Sequence, residues 1–449
     1  MKITIIGMGK VGTEIAHRLS EEGHDIIVID RDEAQLVKVG ETLDVLTVKG
    51  NGSSSQLLKD IGVSDSDLLV AVTDSDEINM IACMTAKRVG ISRTIARIRD
   101  PDYVRDLIIS KEDLGIDLVI NPDYSASQEI FRLLTLNIPI HTEYFANGKV
   151  QMAELMVDKD NLQFANKRVQ DIELPKACLI VGISRLGEMI VPGGKDYIYP
   201  NDTLYILGNI ESIKKICSRF KIRRQRVQNV FIMGGGRIGL YLAQRLSAFG
   251  MKVKVIEQNP ERCQELANRL SDVLILKGDG TDVDLLKREG INGTDAFIAV
   301  TGFDEENLLI ALLAKQLGAK RVLAKVSRPS YAPLVERLGV DAAISPRLIT
   351  ISEILRFIRG GRVLSLVLLL NEQAEVLEVI VQPGSRIAGR PLHSSGLPKG
   401  VIIGAVSRND KVIIPKGSDV IQPDDRLVVF ALGHMVHVVE SFCSRRDGR

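Results

Sequence analysis

Gly7-Met8-Gly9-Lys10-Val11-Gly12 follows the apolar run Lys2–Ile6, and Gly234-Gly235-Gly236-Arg237-Ile238-Gly239 follows the apolar run 230–233. In both cases an acid closes the next apolar run 23 residues after the first glycine: Asp30 in the first, Glu257 in the second. Each residue type has a physical job. The first glycine permits a tight strand-to-helix turn, the second lets a pyrophosphate approach the backbone, and the third lets the helix pack close to the sheet. The phosphates then face a helix N-terminus, where free N–H groups and the positive dipole end favour anions. The acid accepts hydrogen bonds from a ribose diol and repels a 2′-phosphate, so NAD or ATP/ADP is expected over NADP. Arg31, beside Asp30, weakens that exclusion slightly. One such pattern is a weak signal and describes an empty glycine turn equally well. Two at matched spacing predict two adenine-nucleotide sites.

Other polar residues fall near the same place. Thr73 and Asp74 end the fourth strand of the first unit, beside the point where ligands of such sheets sit. They read either as a nucleotide contact or as the N-cap of the next helix. Arg97 and Arg99 project from one side of a strand end, which suits a convergent anion site or a solvated edge. The five cysteines are scattered without a C-x-x-C pair and read as reduced thiols of a cytosolic protein. His434 and His437 share a helix face with no acidic or thiol partner, so no metal site is expected.

These residues need elements to hold them, and the elements come twice. Lys49-Gly50-Asn51-Gly52-Ser53 matches Lys277-Gly278-Asp279-Gly280-Thr281. Ala71-Val72-Thr73-Asp74-Ser75-Asp76-Glu77-Ile78-Asn79 matches Ala299-Val300-Thr301-Gly302-Phe303-Asp304-Glu305-Glu306-Asn307, and the Arg97–Tyr103 stretch answers Lys325–Tyr331. A second kind of repeat lies between and after them: Leu174-Pro175-Lys176 answers Leu397-Pro398-Lys399, and Pro200-Asn201-Asp202 answers Pro423-Asp424-Asp425. The chain therefore reads A–B–A′–B′. In unit A, strands are expected at 2–6, 25–30, 45–49, 68–72, 94–98 and 118–120, with amphipathic helices between, such as 11–21. Right-handed crossovers then give one parallel sheet wound with helices on both faces. The fold class is α/β: tandem Rossmann-like doubly wound domains at 1–137 and 227–360, each followed by a small α+β domain, at 138–222 and 361–449. Unit B is strand-rich, punctuated by Pro-Gly turns, and poor in acid–base groups.

Composition narrows the classes. Hydrophobic residues make up 45% and charged residues 26% of the 449, ordinary for a soluble globular chain. Net charge is +1, so no global field draws nucleic acid or an acidic membrane, and 4% aromatics without Trp leave few stacking platforms. The basic run Lys214, Lys215, Arg219, Lys221, Arg223, Arg224 and Arg226 bridges B to A′ and reads as a linker, because only Phe220 is interleaved. No span or export segment is expected; the strongest apolar run, 363–370, reads as a buried strand.

The A–B unit resembles the module that regulates potassium conductance (the RCK module). Two in tandem resemble the TrkA family, cytosolic regulatory subunits of Trk potassium uptake systems. The residues that carry this are Gly7 to Gly12, Asp30, Ala71 to Asp74, the segment from Ala96 through Tyr103, and their second-half partners, in A–B–A′–B′ order. The resemblance covers essentially the whole chain. It implies a non-enzymatic, peripheral protein on the inner face of the cell membrane. There, rings of nucleotide-binding cores sit on a membrane-embedded, TrkH/TrkG-like potassium transporter subunit. It implies NAD(H) or ATP/ADP as the ligand that changes ring shape and gates flux. In family terms Gly7, Met8, Gly9, Lys10 and Val11 hold phosphates, Asp30 the ribose, Thr73 and Asp74 the nicotinamide or second ribose side, and Arg97 or Arg99 a phosphate. In the second half Gly302 replaces Asp74, Lys325 replaces Arg97 and Ser327 replaces Arg99, while Gly234, Gly236, Gly239, Glu257 and Thr301 remain. The second site is thus expected to differ: another nucleotide, weaker binding, or none. A homo-oligomer is expected, a dimer contributing four modules or a tetramer contributing eight. An NAD-dependent oxidoreductase would account for the glycines and Asp30 but not for the duplication, and a regulator of a potassium efflux system is the alternative that shares the same sequence features.

Overall fold

A computed structural model describes residues 1–100, 103, 113–135, 142–159, 161, 163–220, 227–328, 331, 334–335, 338–358, 363–369, 373–409 and 411–444. Lys221, Arg223, Arg224 and Arg226 of the basic run, Pro101, Pro329 and Leu370 lie outside them.

The first half forms six strands: β1 (Lys2–Ile6), β2 (Asp25–Asp30), β3 (Leu46–Lys49), β4 (Leu68–Ala71), β5 (Arg93–Arg97) and β6 (Leu118–Ile120). They lie side by side as β3-β2-β1-β4-β5-β6, all parallel. β1 and β4 are buried along nearly their whole length, as central strands covered on both faces must be, which is why their sequences are continuous rather than alternating runs. The order reverses between β1 and β4, and the crevice at their C-terminal ends is where this topology places ligands. Strand limits differ from the sequence expectation by one residue at four edges. Beyond two of them the ladder bonding continues, from Val72 N–H to the Ile6 carbonyl and from Ile98 N–H to that of Ile120.

Helix Lys10–Glu21 buries Ile15, Ala16 and Leu19 against this sheet, with Val11 half-buried. The core continues through Ile29, Leu69, Ala71, Ala82, Cys83 and Ala96. The second half repeats the plan. β14 (Asn229–Met233), β15 (Lys252–Glu257), β16 (Val273–Lys277), β17 (Ala296–Ala299), β18 (Val322–Lys325) and β19 (Ala342–Ile344) run β16-β15-β14-β17-β18-β19.

The small domains contribute β7 (Thr142–Phe145), β8 (Val150–Met156), β9 (Lys167–Arg168), β10 (Cys178–Arg185), β11 (Glu188–Ile190), β12 (Tyr197–Ile198) and β13 (Thr203–Asn209). Their counterparts are β20 (Val363–Leu369), β21 (Ala374–Ile380), β22 (Val401–Arg408), β23 (Lys411–Ile413) and β24 (Arg426–Leu432). Two five-stranded antiparallel sheets result, β11-β10-β13-β8-β7 and β20-β21-β24-β22-β23.

Spatial grouping does not follow chain order. Met1–Phe131 and Gln228–Ile358 form one compact unit, and Arg132–Val227 with Arg359–Arg449 forms the other. Like pairs with like. In the first unit, helix Pro346–Ile358 packs on helix Lys10–Glu21. Tyr124 and Phe131 of helix Pro122–Thr135 make edge contacts with Tyr241 and Phe249, at 5.5 and 5.3 Å between ring centres. In the second unit the two small domains share one core, in which Phe145, Val181, Tyr205 and Leu207 meet Val376, Ala405, Val428 and Phe430. Gly182 is there because a Cβ would stand 2.5 Å from the Phe430 ring.

All five cysteines are free. Burial pushes the thiols of Cys83, Cys178 and Cys443 up to about 12, so they are not thiolate nucleophiles at neutral pH. Among the described residues no group of His, Cys, Asp and Glu is arranged to hold a metal ion, and no helix is long and apolar enough to cross a membrane.

Candidate nucleotide sites

The two glycine turns are built alike. Gly7 and Gly234 have φ of +97° and +105°, a region that a side chain resists. A Cβ on Gly7 would also press on the Thr73 backbone, and one on Gly234 on that of Val300 and Thr301. Gly12 and Gly239 sit against the carbonyls of Gly7 and Gly234, too close for any side chain. Gly9 and Gly236 differ from these four. Each precedes its helix, Lys10–Glu21 or Arg237–Ala248, with no side-chain cap, and a Cβ there would meet nothing within 4 Å. Open space thus stands before an uncapped helix N-terminus, the shape and polarity that a pyrophosphate fits. Lys10 and Arg237 are exposed at the mouth, Met8 and Ile238 are buried, and Gly235 abuts Leu266 and Glu257.

The acids are pre-set by the turns. Asp30 accepts from the N–H of Met8 and, at 2.9 Å, from that of Asp32. Glu257 accepts from Gly235 N–H at 2.8 Å and Asn259 N–H at 2.9 Å. A carboxylate has about four acceptor positions, so two remain in each half for a ribose diol. In the second half alone, Arg262 donates from Nε to the Gly235 carbonyl at 2.6 Å and pairs with Glu265.

Across the crevice the polar ends of β4 and β5 are locked together. Thr73 spends its N–H and its hydroxyl on Asn79 Oδ1, at 2.9 and 2.7 Å. Asn79, fully buried, returns its amide to the carbonyls of Thr73 and Arg97. Buried Asp76 accepts from the N–H groups of Arg99 and Asp100. Arg97 donates to the Thr73 carbonyl at 2.7 Å and Arg99 to that of Asp74 at 2.6 Å. The two arginines therefore converge on adjacent carbonyls. Their Nε atoms are buried with no hydrogen-bond partner among the described residues. Burial, then the neighbouring Arg99, holds the Arg97 guanidinium below its ordinary pKa. Asp74 itself is exposed. The cap of helix Asp76–Val89 is Ser75, so Thr73 and Asp74 do not serve that role.

The second half copies the frame with other donors. Asn307 binds Thr301 N–H and hydroxyl at 2.9 and 2.8 Å and donates to the Lys325 carbonyl. Asp304 accepts from Ser327 and Arg328. Lys325 Nζ reaches the Thr301 carbonyl at 2.7 Å, the bond Arg97 makes in the first half. Burial lowers the Lys325 pKa, and the nearby acids Asp304 and Asp123 oppose that. Ser327 and Gly302 supply no counterpart to the Arg99–Asp74 contact.

Residues 3–122 and 230–346 match the family model of the TrkA-N domain, and residues 152–221 and 376–444 match that of the TrkA-C domain. The chain belongs to the TrkA family. It is 41% identical over 448 residues to Trk system potassium uptake protein TrkA homolog 2 of Methanosarcina mazei, covering 98% of this chain and 99% of that one. Among solved structures, the GsuK RCK domain superposes with a TM-score of 0.60 at 19% identity, covering 99% of this chain and 95% of its own. The GsuK channel bound to NAD gives 0.59 at 18%, covering 99% and 79%. At those identities the likeness concerns the fold, which for this TrkA-family chain is the paired arrangement of Rossmann-like and small antiparallel domains.

Asn79, Asp76, Asn307 and Asp304 were not singled out from sequence, although they do more to shape this TrkA-family crevice than Asp74 does. Their signal was present: both pairs sit inside the blocks 71–79 and 299–307 and are unchanged between the copies.

Proposed function

We propose that this chain is the nucleotide-sensing regulatory subunit of a Trk-type potassium uptake system. NAD(H) or ATP/ADP binds at the glycine turns and no bond is made or broken. The observation that carries this is the doubled cradle. Each half offers an uncapped helix N-terminus behind open space at Gly9 or Gly236, and an acid already oriented by the turn. The name of the M. mazei relative supports the potassium system, and the NAD of the GsuK channel structure supports the ligand class. Gly7 to Gly12 and Gly234 to Gly239 hold the phosphates, Asp30 and Glu257 the ribose. Thr73, Asp74 and Thr301 line the far side, with Arg97 and Arg99 supplying positive charge in the first half. The paired Rossmann-like domains are one element of a ring of such chains, seated on a membrane-embedded potassium transporter subunit. Ligand shifts the ring between two shapes, which needs a difference in affinity of only about 1–3 kcal/mol.

The test is equilibrium binding of NAD⁺, NADH, ATP and ADP to the full chain, with Asp30→Ala and Glu257→Ala beside it. Binding without turnover, weakened about tenfold or more at one site by each variant, is the expected result. Binding of none of the four overturns the sensing role.

A further inference from the structure

Glu14 and Tyr241 occupy the same step of the two glycine helices, five residues beyond Gly9 and Gly236. Each reaches into the other half, and they do so with different chemistry. Tyr241, 6% exposed, places its hydroxyl 3.5 Å from the Arg99 carbonyl oxygen and 3.5 Å from Asn121 Nδ2. Asn121 Nδ2 donates to that same carbonyl at 3.2 Å, and the Tyr124 ring meets the Tyr241 ring edge-on. Arg99 is the residue whose N–H is held by Asp76 and whose guanidinium holds the Asp74 carbonyl. The phosphate helix of the second site therefore packs against the far wall of the first through the buried Tyr241 ring, with its hydroxyl at the outer limit of hydrogen-bond distance.

The reciprocal joint is ionic. Glu14, on the phosphate helix of the first site, pairs with Arg347. Arg347 is the second residue of the helix that follows β19, whose ladder partner is the strand end carrying Lys325. A helix is stiff over five residues, so a phosphate that draws in its N-terminus displaces Tyr241 or Glu14 along with it. Each joint is a direct contact between the two halves, a packed route by which such a displacement can reach the other crevice.

We infer that the two nucleotide sites of one chain are coupled to each other, with Tyr241 and the Glu14–Arg347 pair as the two couplers. This rests on the nucleotide-binding reading above. Neither coupler touches the open space at Gly9 or Gly236, so both are positioning residues. Coupling is reciprocal, and typical strengths change affinity by about 5–150-fold.

The experiment is calorimetric titration of the full chain with ADP and, separately, with NAD⁺. Asp30→Ala and Glu257→Ala give the single-site constants. The two-step isotherm of the unaltered chain is expected to depart from the sum of the single-site isotherms by about fivefold or more. Tyr241→Phe and Glu14→Gln, each introduced into the single-site backgrounds as well, are expected to leave single-site constants within about twofold and to bring the isotherm toward a simple sum. Charge reversal, Glu14→Arg with Arg347→Glu, is expected to restore the departure that Glu14→Gln removes; a merely structural loss would not be rescued. An unaltered chain that already follows the simple sum overturns the coupling alone, as does a departure that survives both Tyr241→Phe and Glu14→Gln. Absence of binding by either ligand overturns the sensing role and the coupling with it.

Discussion

The two crevices of the first unit share a frame and differ in donors. Asn79 and Asn307 tie strand ends with the same set of bonds, Asp76 and Asp304 clamp the same backbone turn, and Asp30 and Glu257 grip the same turn amides. Arg97 becomes Lys325, Arg99 becomes Ser327, Asp74 becomes Gly302 and Met8 becomes Gly235. What stayed is what closes buried backbone polar groups, where an error costs folding stability. What changed, buried Met8 apart, is the set of side chains at the ends of the fourth and fifth strands of each sheet, and even there Lys325 keeps the carbonyl bond that Arg97 makes. On this division the frame belongs to the fold and the donors to the ligand.

The comparison breaks most severely at the asparagines. Asn79→Ala strands the Thr73 N–H and the Arg97 carbonyl inside the protein, and Asn307→Ala does the same to the Thr301 N–H and the Lys325 carbonyl, while the two threonine hydroxyls keep the Ser75 carbonyl and the Glu306 carboxylate as acceptors. Each is expected to destabilise the first unit by about 3–5 kcal/mol, read as a lowered urea midpoint. Unequal costs in the two halves would show that the frames are not equivalent.

Gly9→Ala and Gly236→Ala separate binding from folding. Both positions have ordinary extended backbone, with φ of −71° and −63°, and free space for a methyl group. Stability is expected to hold within about 0.5 kcal/mol. Nucleotide affinity at the altered turn is expected to fall about 30–100-fold, because the methyl stands where phosphate must approach. A stability loss as large as that of the asparagine variants would place these glycines in the frame instead.

Exchanging donors sharpens the comparison further. Arg97→Lys can keep the bond to the Thr73 carbonyl, as Lys325 does for Thr301, but loses the planar fork and its spare N–H groups. First-site affinity is expected to drop about tenfold toward that of the second, with the urea midpoint unchanged. Lys325→Arg is the converse and is expected to raise second-site affinity. If neither moves, the arginine serves the frame.

Much of this was legible in the residues. Matched glycine–acid spacing located both glycine turns and the acids that grip them, and every strand of the first sheet fell within one residue of expectation, because turns, apolar runs and the repeat all agreed. Two things were hidden for physical reasons. Asn79 and Asp76 look like surface polar residues at the start of an amphipathic helix, and only the fold turns them toward orphaned backbone groups. The pairing of like with like was invisible because local patterns carry no information about which apolar helix faces meet. Tyr241 and Glu14, at one helical position, gave no hint of their different partners.

The smallest effect tests a difference between the helices that cross between halves. Ser125 donates to Glu353 at 2.8 Å, whereas the matching positions in the reverse direction are Ile349 and Glu129. Burial raises the Glu353 carboxyl above its ordinary 4.5, partly opposed by the Ser125 hydroxyl and by Arg356. Below about pH 4.5 the folded and unfolded chains both carry the proton, and Glu353 is neutral in its effect. As pH climbs past that value the unfolded chain ionises freely while the folded one resists. Stability therefore falls, reaching its low plateau once the folded group has also ionised. Glu353→Gln cannot ionise, and its amide oxygen still accepts from Ser125. It is expected to match the unaltered chain at pH 4 and to exceed it at pH 8 by less than about 1 kcal/mol, a melting shift of about 1–3 °C. Ser125→Ala removes a donor that favours the ionised form and is expected to deepen the loss at pH 8. Equal melting curves for Glu353→Gln and the unaltered chain at both pH values would mean the crossing helices open enough to hydrate that carboxylate, and the two crossings would then be alike in energy despite their different residues.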